Sequence, residues 1–163
     1  MLRNKLLIMI NLVDELQKAY NGDAWHGNNT VALLLNADPS KVFTHPIPGA
    51  HSIAELVLHL TAWTEEVVER LNGAKAKEPI RGDWPTPVEQ SISEWELIIN
   101  DFKKANEKLI NIVSDFSPEA WAAEVIDERN PALGTGVDYS QLLNGLIQHH
   151  AYHSGQMALL SKF

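Results

Sequence analysis

The chain contains no cysteine. That absence excludes a disulfide framework, a thiolate metal site, an iron–sulfur cluster and a cysteine nucleophile. It also lacks a surplus of positive charge: 13 Lys and Arg stand against 21 Asp and Glu, for a formal charge of −8. Nucleic-acid affinity rests on neutralising phosphates, and attraction to acidic lipid rests on polybasic segments, so neither partner is expected. No stretch approaches the roughly 18 apolar residues of a membrane span. No convincing strand pattern is present either. What remains is a chain of 163 residues, 45% of them apolar, long enough to bury a sizeable core as a single domain over 1–163.

Helical periodicity dominates. Apolar residues at 2, 6, 9, 10, 13, 16 and 20 form one stripe, which predicts a first helix over about 2–20 that stops at Asn21-Gly22. The same segment faintly imitates a signal peptide, but Asn11, Asp14 and Glu15 interrupt the apolar run and no small-residue cleavage site follows. A cytoplasmic location is expected. Thr30–Leu35 predicts a minor helix. A Pro-rich loop (Pro39, Pro46, Pro48) leads to Ser52, an N-cap whose capping box is completed by Glu55. The helix it opens runs to about Leu71. Residues 73–87 form a polar connection. Thr86, Pro87 and Glu89 predict the start of a third long helix reaching about Val113. Ser117-Pro118-Glu119 caps a short helix through Trp121, and residues 127–137, with Pro131, Gly134 and Gly136, read as loop. A last helix spans about Asp138 to Leu160. The fold class is all-α: a four-helix bundle with short extra helices in the loops.

The chemistry lies in the histidines. His149 and His153 are four residues apart, and at about 100° per residue they share a helix face, so both imidazoles can meet one cation. Leu142, Leu146, His149, His153, Gln156 and Leu160 form one stripe that should face the bundle core. An imidazole buried without a partner costs about 1–3 kcal/mol, and a shared ligand removes that cost. His59 sits between Leu56 and Trp63 on an apolar face of the second long helix. With an inward pair on another helix, a three-histidine metal site accounts for all three better than separate core roles do. His150, beside Leu143, Ile147 and Ser154, reads as support behind the ligands or as surface. His26 could reach the mouth of the bundle. Trp63, Trp95, Trp121 and Phe102 read as core.

Three segments together resemble the DinB-like superfamily of metal-binding four-helix bundles. They are Ser52-Ile-x-Glu-Leu-x-x-His59-Leu-x-x-Trp63, His149-x-x-x-His153-x-Gly155-Gln156, and Trp25-His26-Gly27, the last similar to a segment of some members only. Ser154 departs from the pattern, standing where many members have Arg. The resemblance implies that His59, His149 and His153 form a facial triad on a divalent ion, usually nickel or zinc, in a homodimer. It further implies kinship with transferases and isomerases that use bacillithiol or mycothiol.

Three neutral imidazoles leave a divalent ion its full charge and at least one open position, the pattern of a catalytic site. Such a site supports transfer of a low-molecular-weight thiol to a small electrophile, or metal-dependent hydrolysis. The missing cysteine suits the first, because the sulfur would come from a cosubstrate. The second usually wants a general base, for which Glu55 and Glu66 are the candidates near His59; the alternative readings are that Glu55 is spent on capping and that Glu66 simply faces solvent. Gln156 is placed to support a metal-bound ligand by hydrogen bonding. A non-catalytic dimer that binds a small ligand, or one whose histidines merely tie helices together, is the alternative outside catalysis.

Overall fold

A computed structural model describes residues 10–128 and 137–163. Six helices occur among them: α1 (Leu12–Tyr20), α2 (Thr30–Asn36), α3 (Ile53–Leu71), α4 (Ile92–Ser114), α5 (Pro118–Trp121) and α6 (Tyr139–Leu160). Among the described residues there is no extended strand, only the isolated bridges Ala24–Gly27 and Glu124–Asp138. The long helices close a ring in which α3 touches α4 and α6, and α1 touches the same two; α2 lies against α6. This is the expected all-α four-helix bundle with short helices in its connections. No helix among the described residues is long and apolar enough to cross a membrane.

Most helix ends obey the local chemistry of their sequence. Ser52 and Glu55 form the predicted reciprocal capping box, and Asp138 and Gln141 form another at the start of α6. Ser117 caps α5, with Pro118 in its first turn. Two starts differ from the sequence reading. The predicted first helix lies outside the described residues over 1–9, while Ile10 and Asn11 are not helical. The Asn11 side chain accepts the Val13 and Asp14 N–H groups at 3.1 and 3.2 Å, so α1 begins at Leu12. The loop expected at 127–137, with Pro131, Gly134 and Gly136, falls mostly at positions outside the described residues.

The second difference is at α4. Thr86-x-x-Glu89 and Ser91-x-x-Glu94 are both Ser/Thr-x-x-Glu patterns, and the later one is used: Ser91 Oγ accepts the Glu94 N–H at 3.1 Å. The reason lies in packing. Val88 and Ile92 are exposed, and the first deeply buried side chain is Trp95. An extra turn before Ser91 would have had no face to bury, and short helical turns without packing do not persist. Ser91→Ala is therefore expected to lower stability by about 1 kcal/mol. Thr86→Ala should change it by less than about 0.5 kcal/mol. Equilibrium urea denaturation of the two variants checks this, and the opposite ranking would restore the earlier start.

The core has two apolar parts. In one, Leu56, Val57 and Leu60 of α3 pack with Trp95, Ile98 and Phe102 of α4 and with Met157 and Leu160 of α6. In the other, Val67, Val68 and Leu71 pack with Leu16, Leu109, Val113, Leu143 and Leu146. Leu60, Phe102 and Leu109 are wholly withdrawn from water, a gain of about 1.5–3 kcal/mol each. The intervening stretches of α3 and α6 carry buried polar residues: His59, Thr61, Thr64, His150, His153 and Ser154. Hydrogen bonds make this belt tolerable. Thr61 and Thr64 donate to the carbonyls of Val57 and Leu60, and Ser154 shares a 2.8 Å contact with Thr30, which also reaches the Ala19 carbonyl.

The inward face of α6 is turned relative to the predicted stripe. Leu143, Leu146, His150, His153, Met157 and Leu160 are buried, whereas Leu142, His149 and Gln156 sit at the margin. A single stripe is what one neighbour demands, but α6 packs against α1, α2 and α3. Its buried face is correspondingly broad.

Candidate metal centre

His59, near the middle of α3, faces His149 and His153 across to α6. One nitrogen from each of the three lies within 4.8 Å of the other two. The His59 and His149 Nε2 atoms are 3.0 Å apart. The three rings stand nearly perpendicular to one another, with centroids 4.6–4.9 Å apart.

The rear nitrogens of two rings are fixed. The Asp83 carbonyl oxygen can only accept, so His59 Nδ1–H donates to it at 2.6 Å. That leaves the His59 Nε2 lone pair directed at the other histidines. His153 Nδ1–H donates to Gln156 Oε1 at 2.6 Å, one turn further along α6. Holding the far nitrogen in this way sets tautomer and ring orientation, as in known histidine metal sites. Burial pushes His59 and His153 below the usual imidazole range, partly countered by Asp83 and Gln156 respectively. Burial, with repulsion from the other two rings, takes His149 down to about 4. The rings are therefore neutral near pH 7, as metal ligation requires.

These residues fit a metal ion. Two nitrogens each about 2.0–2.1 Å from one ion, at an angle between square and tetrahedral, are themselves about 3 Å apart. The His59–His149 separation of 3.0 Å matches that spacing.

The connection between α3 and α4 completes the surroundings, and sequence reasoning missed its part. Gly82, at φ +84°, turns the chain after Pro79, a conformation that favours glycine. This delivers Asp83 and Trp84 onto His59. The Trp63 indole N–H donates to Asp83 Oδ1 at 2.7 Å, so Trp63 is a half-buried anchor rather than a core residue. Trp84 stacks on His59 at 3.8 Å and on His51 at 3.6 Å, between the two rings. An aromatic residue in an otherwise polar, Pro-rich connection is the only local signal. Its target is not readable along the chain, because the contact spans 25 residues of sequence.

The remaining candidates separate. Gln156 is hydrogen-bonded to the His153 ring itself, whereas the sequence reading places it against a metal-bound ligand. His150 is not at the surface: it is fully buried, against Phe102, and burial pushes it down to about 3. Its Nε2–H donates to Thr64 Oγ1 at 3.0 Å, and its Nδ1 has no partner among the described residues. Glu66 does not face solvent as a free base. It is buried, with Oε1 accepting from Arg70 Nε at 3.1 Å and from the Lys77 N–H at 2.9 Å. Glu55 Oε2 is engaged by the Ser52 N–H and His45 Nε2, each at 2.8 Å. His26 is exposed in the turn after α1 and is not part of the three-histidine cluster.

Two clefts meet the cluster. One, of about 440 Å³, ends on His153 and Gln156; the other, of about 290 Å³, ends on His149 beside Trp63 and Arg70. A further cleft of about 340 Å³ between α3 and α4 is lined by charged residues such as Arg81, Glu65 and Asp101 and holds none of the three histidines.

A four-helix bundle with three imidazoles converging from two of its helices defines a class of candidate metal-binding bundle proteins. The sequence pattern of the DinB superfamily matches residues 23–157, and the chain belongs to that superfamily. It is similar in structure to a DinB-like protein, YjoA, from Bacillus subtilis, with a TM-score of 0.65 and 16% identity over 93% of this chain and 90% of that one. No curated protein matches it in sequence. The resemblance carried by the Ser52–Trp63 and His149–Gln156 segments thus holds for family and fold.

Proposed function

We propose that the protein binds a divalent metal ion, nickel or zinc, through His59, His149 and His153, and transfers a low-molecular-weight thiol to a small electrophile. The observation that carries this reading is the company the three imidazoles keep. Their nitrogens face one another, while both carboxylates that the sequence offered as a general base are engaged elsewhere. A general base speeds attack by water, the weaker acid, whereas a thiol placed against the ion is deprotonated outright and gains less from one. When bound, the ion supplies a Lewis acid that lowers the pKa of a thiol or water placed against it.

The chain's own residues provide position and shelter. Asp83 and Gln156 orient the ligand rings, and Trp84 covers one face of His59. With no cysteine in the chain, the sulfur comes from a cosubstrate. Its S–H bond breaks and the proton passes to solvent. The sulfur electron pair forms a bond to the electrophilic carbon, and the leaving group departs with the pair of its former bond. Two clefts at one cluster suit two organic reactants.

The test is a paired screen of protein loaded with zinc or nickel. Aryl and alkyl halides are offered with small thiols, and activated esters are offered without them. Turnover of a halide that requires both metal and thiol is expected, with esters remaining at the buffer rate. Metal-dependent ester cleavage without thiol would overturn the proposal in favour of a hydrolase.

A further inference from the structure

The cleft on the His153 side has a composition that selects its occupant. Its apolar wall comes from Ile47, Leu56, Leu159 and Leu160, with the Trp84 and Tyr152 rings beside them. Its polar side-chain groups are few: His153 and Gln156, hydrogen-bonded to each other, with His51 and the Tyr152 hydroxyl. No Lys or Arg lines it among the described residues. Two acidic groups flank it. Glu55 lies 3.5 Å from the His51 ring, and Asp83 immediately precedes Trp84. At about 440 Å³ it is the size of small-molecule sites generally.

We infer that this cleft binds an uncharged, flat apolar group of the substrate, with the reactive atom directed toward His153. The reasoning is electrostatic. A charge moved from water into an apolar cleft needs a partner of opposite sign. In the metal-free protein an anion finds no Lys or Arg here and two carboxylates nearby. A cation keeps the pull of those carboxylates, but both are already hydrogen-bonded, Glu55 by Ser52 and His45 and Asp83 by Trp63, and entry strips its hydration against an apolar wall. A neutral aromatic or aliphatic group loses nothing on entry and gains contact with Trp84 and the leucines. The cleft therefore suits the electrophile and not a carboxylate-bearing thiol. The inference rests on the proposed metal chemistry for its reactive end, while the binding itself depends only on the cleft.

Three probes of one shape test it: 2-naphthalenemethanol, 2-naphthoate and 2-naphthylmethylammonium, titrated calorimetrically into full-length protein freed of metal with EDTA. The neutral probe is expected to bind about tenfold more tightly than either ion. Leu159 lies at the exposed rim, so Leu159→Lys adds a cation without disturbing the core, which circular dichroism checks. That variant should tighten naphthoate about threefold and weaken the ammonium probe. Equal or tighter binding of either ion by the parent protein, no binding of any probe, or affinities untouched by Leu159→Lys would each overturn the inference. Zinc uptake is measured separately on the same preparation. Zinc bound without naphthyl binding defeats the cleft inference alone, and naphthyl binding without zinc defeats the metal reading alone.

Discussion

Zinc or nickel added to metal-free protein is expected to raise its thermal midpoint, and the His149→Ala/His153→Ala variant is expected to show no rise. A ligand that binds only the folded state stabilises it by about 2.7 kcal/mol at a hundred times its Kd. For a chain of this length each kcal/mol corresponds to roughly 2–4 °C, so the shift should be on the order of 5–10 °C. Elemental analysis of untagged protein should find near one ion per chain in the parent and none in the double variant. The variant keeps His59 and its hydrogen bond to Asp83, so circular dichroism should show an intact bundle. Gln156→Leu removes only the acceptor that orients His153. It should weaken metal binding by about 10–100-fold with little change in the metal-free midpoint. An equal thermal shift in parent and double variant would show that any bound metal sits elsewhere.

Replacing Glu66 by Ala should cost far more stability than losing the Ser91 cap, about 3–5 kcal/mol. The carboxylate is almost wholly buried and holds two donors, the Arg70 guanidinium and the Lys77 N–H. Removing it leaves a buried positive charge without its partner and an unpaired amide. Two further variants guard against simple failure to fold. Glu66→Gln keeps an acceptor for Lys77 and should lose less. Glu66→Ala combined with Arg70→Met removes both charges and should recover much of the loss. Urea denaturation gives the energies, and the same preparations report metal content and turnover. Full stability with abolished turnover in Glu66→Gln would instead mean that Glu66 is a catalytic base after all.

Much of the architecture is legible along the chain because helices are local objects. Ser52 with Glu55, Asn21-Gly22 and Ser117-Pro118 state their own boundaries through groups a few residues apart. The failures are equally physical. Thr86-x-x-Glu89 and Ser91-x-x-Glu94 offer the same capping chemistry, and only the burial of Trp95 decides between them. The stripe on α6 is displaced because its buried face depends on how many helices surround it. For His150 the sequence leaves support behind the ligands or the surface open, and only its burial in the centre of the bundle removes the second.

The candidate metal centre divides in the same way. That His149 and His153 share a face follows from helix pitch, and that His59 belongs with them follows from an imidazole set among leucines on an apolar face. Residue type, spacing and the cost of burying a lone polar group suffice for that much. Asp83 and Trp84 cannot be assigned so, since a loop's course depends on the surface it settles against. The loss of Glu55 as a base is legible in its capping box with Ser52, and Arg70 stands one turn from Glu66 on the same helix, but the contacts of Lys77 with Glu66 and of His45 with Glu55 are made only by the packed chain. Periodicity and capping act over one or two turns and can be read along the sequence. Ion pairing, ring stacking and the shape of a cleft act through space, and exist only once the helices have packed.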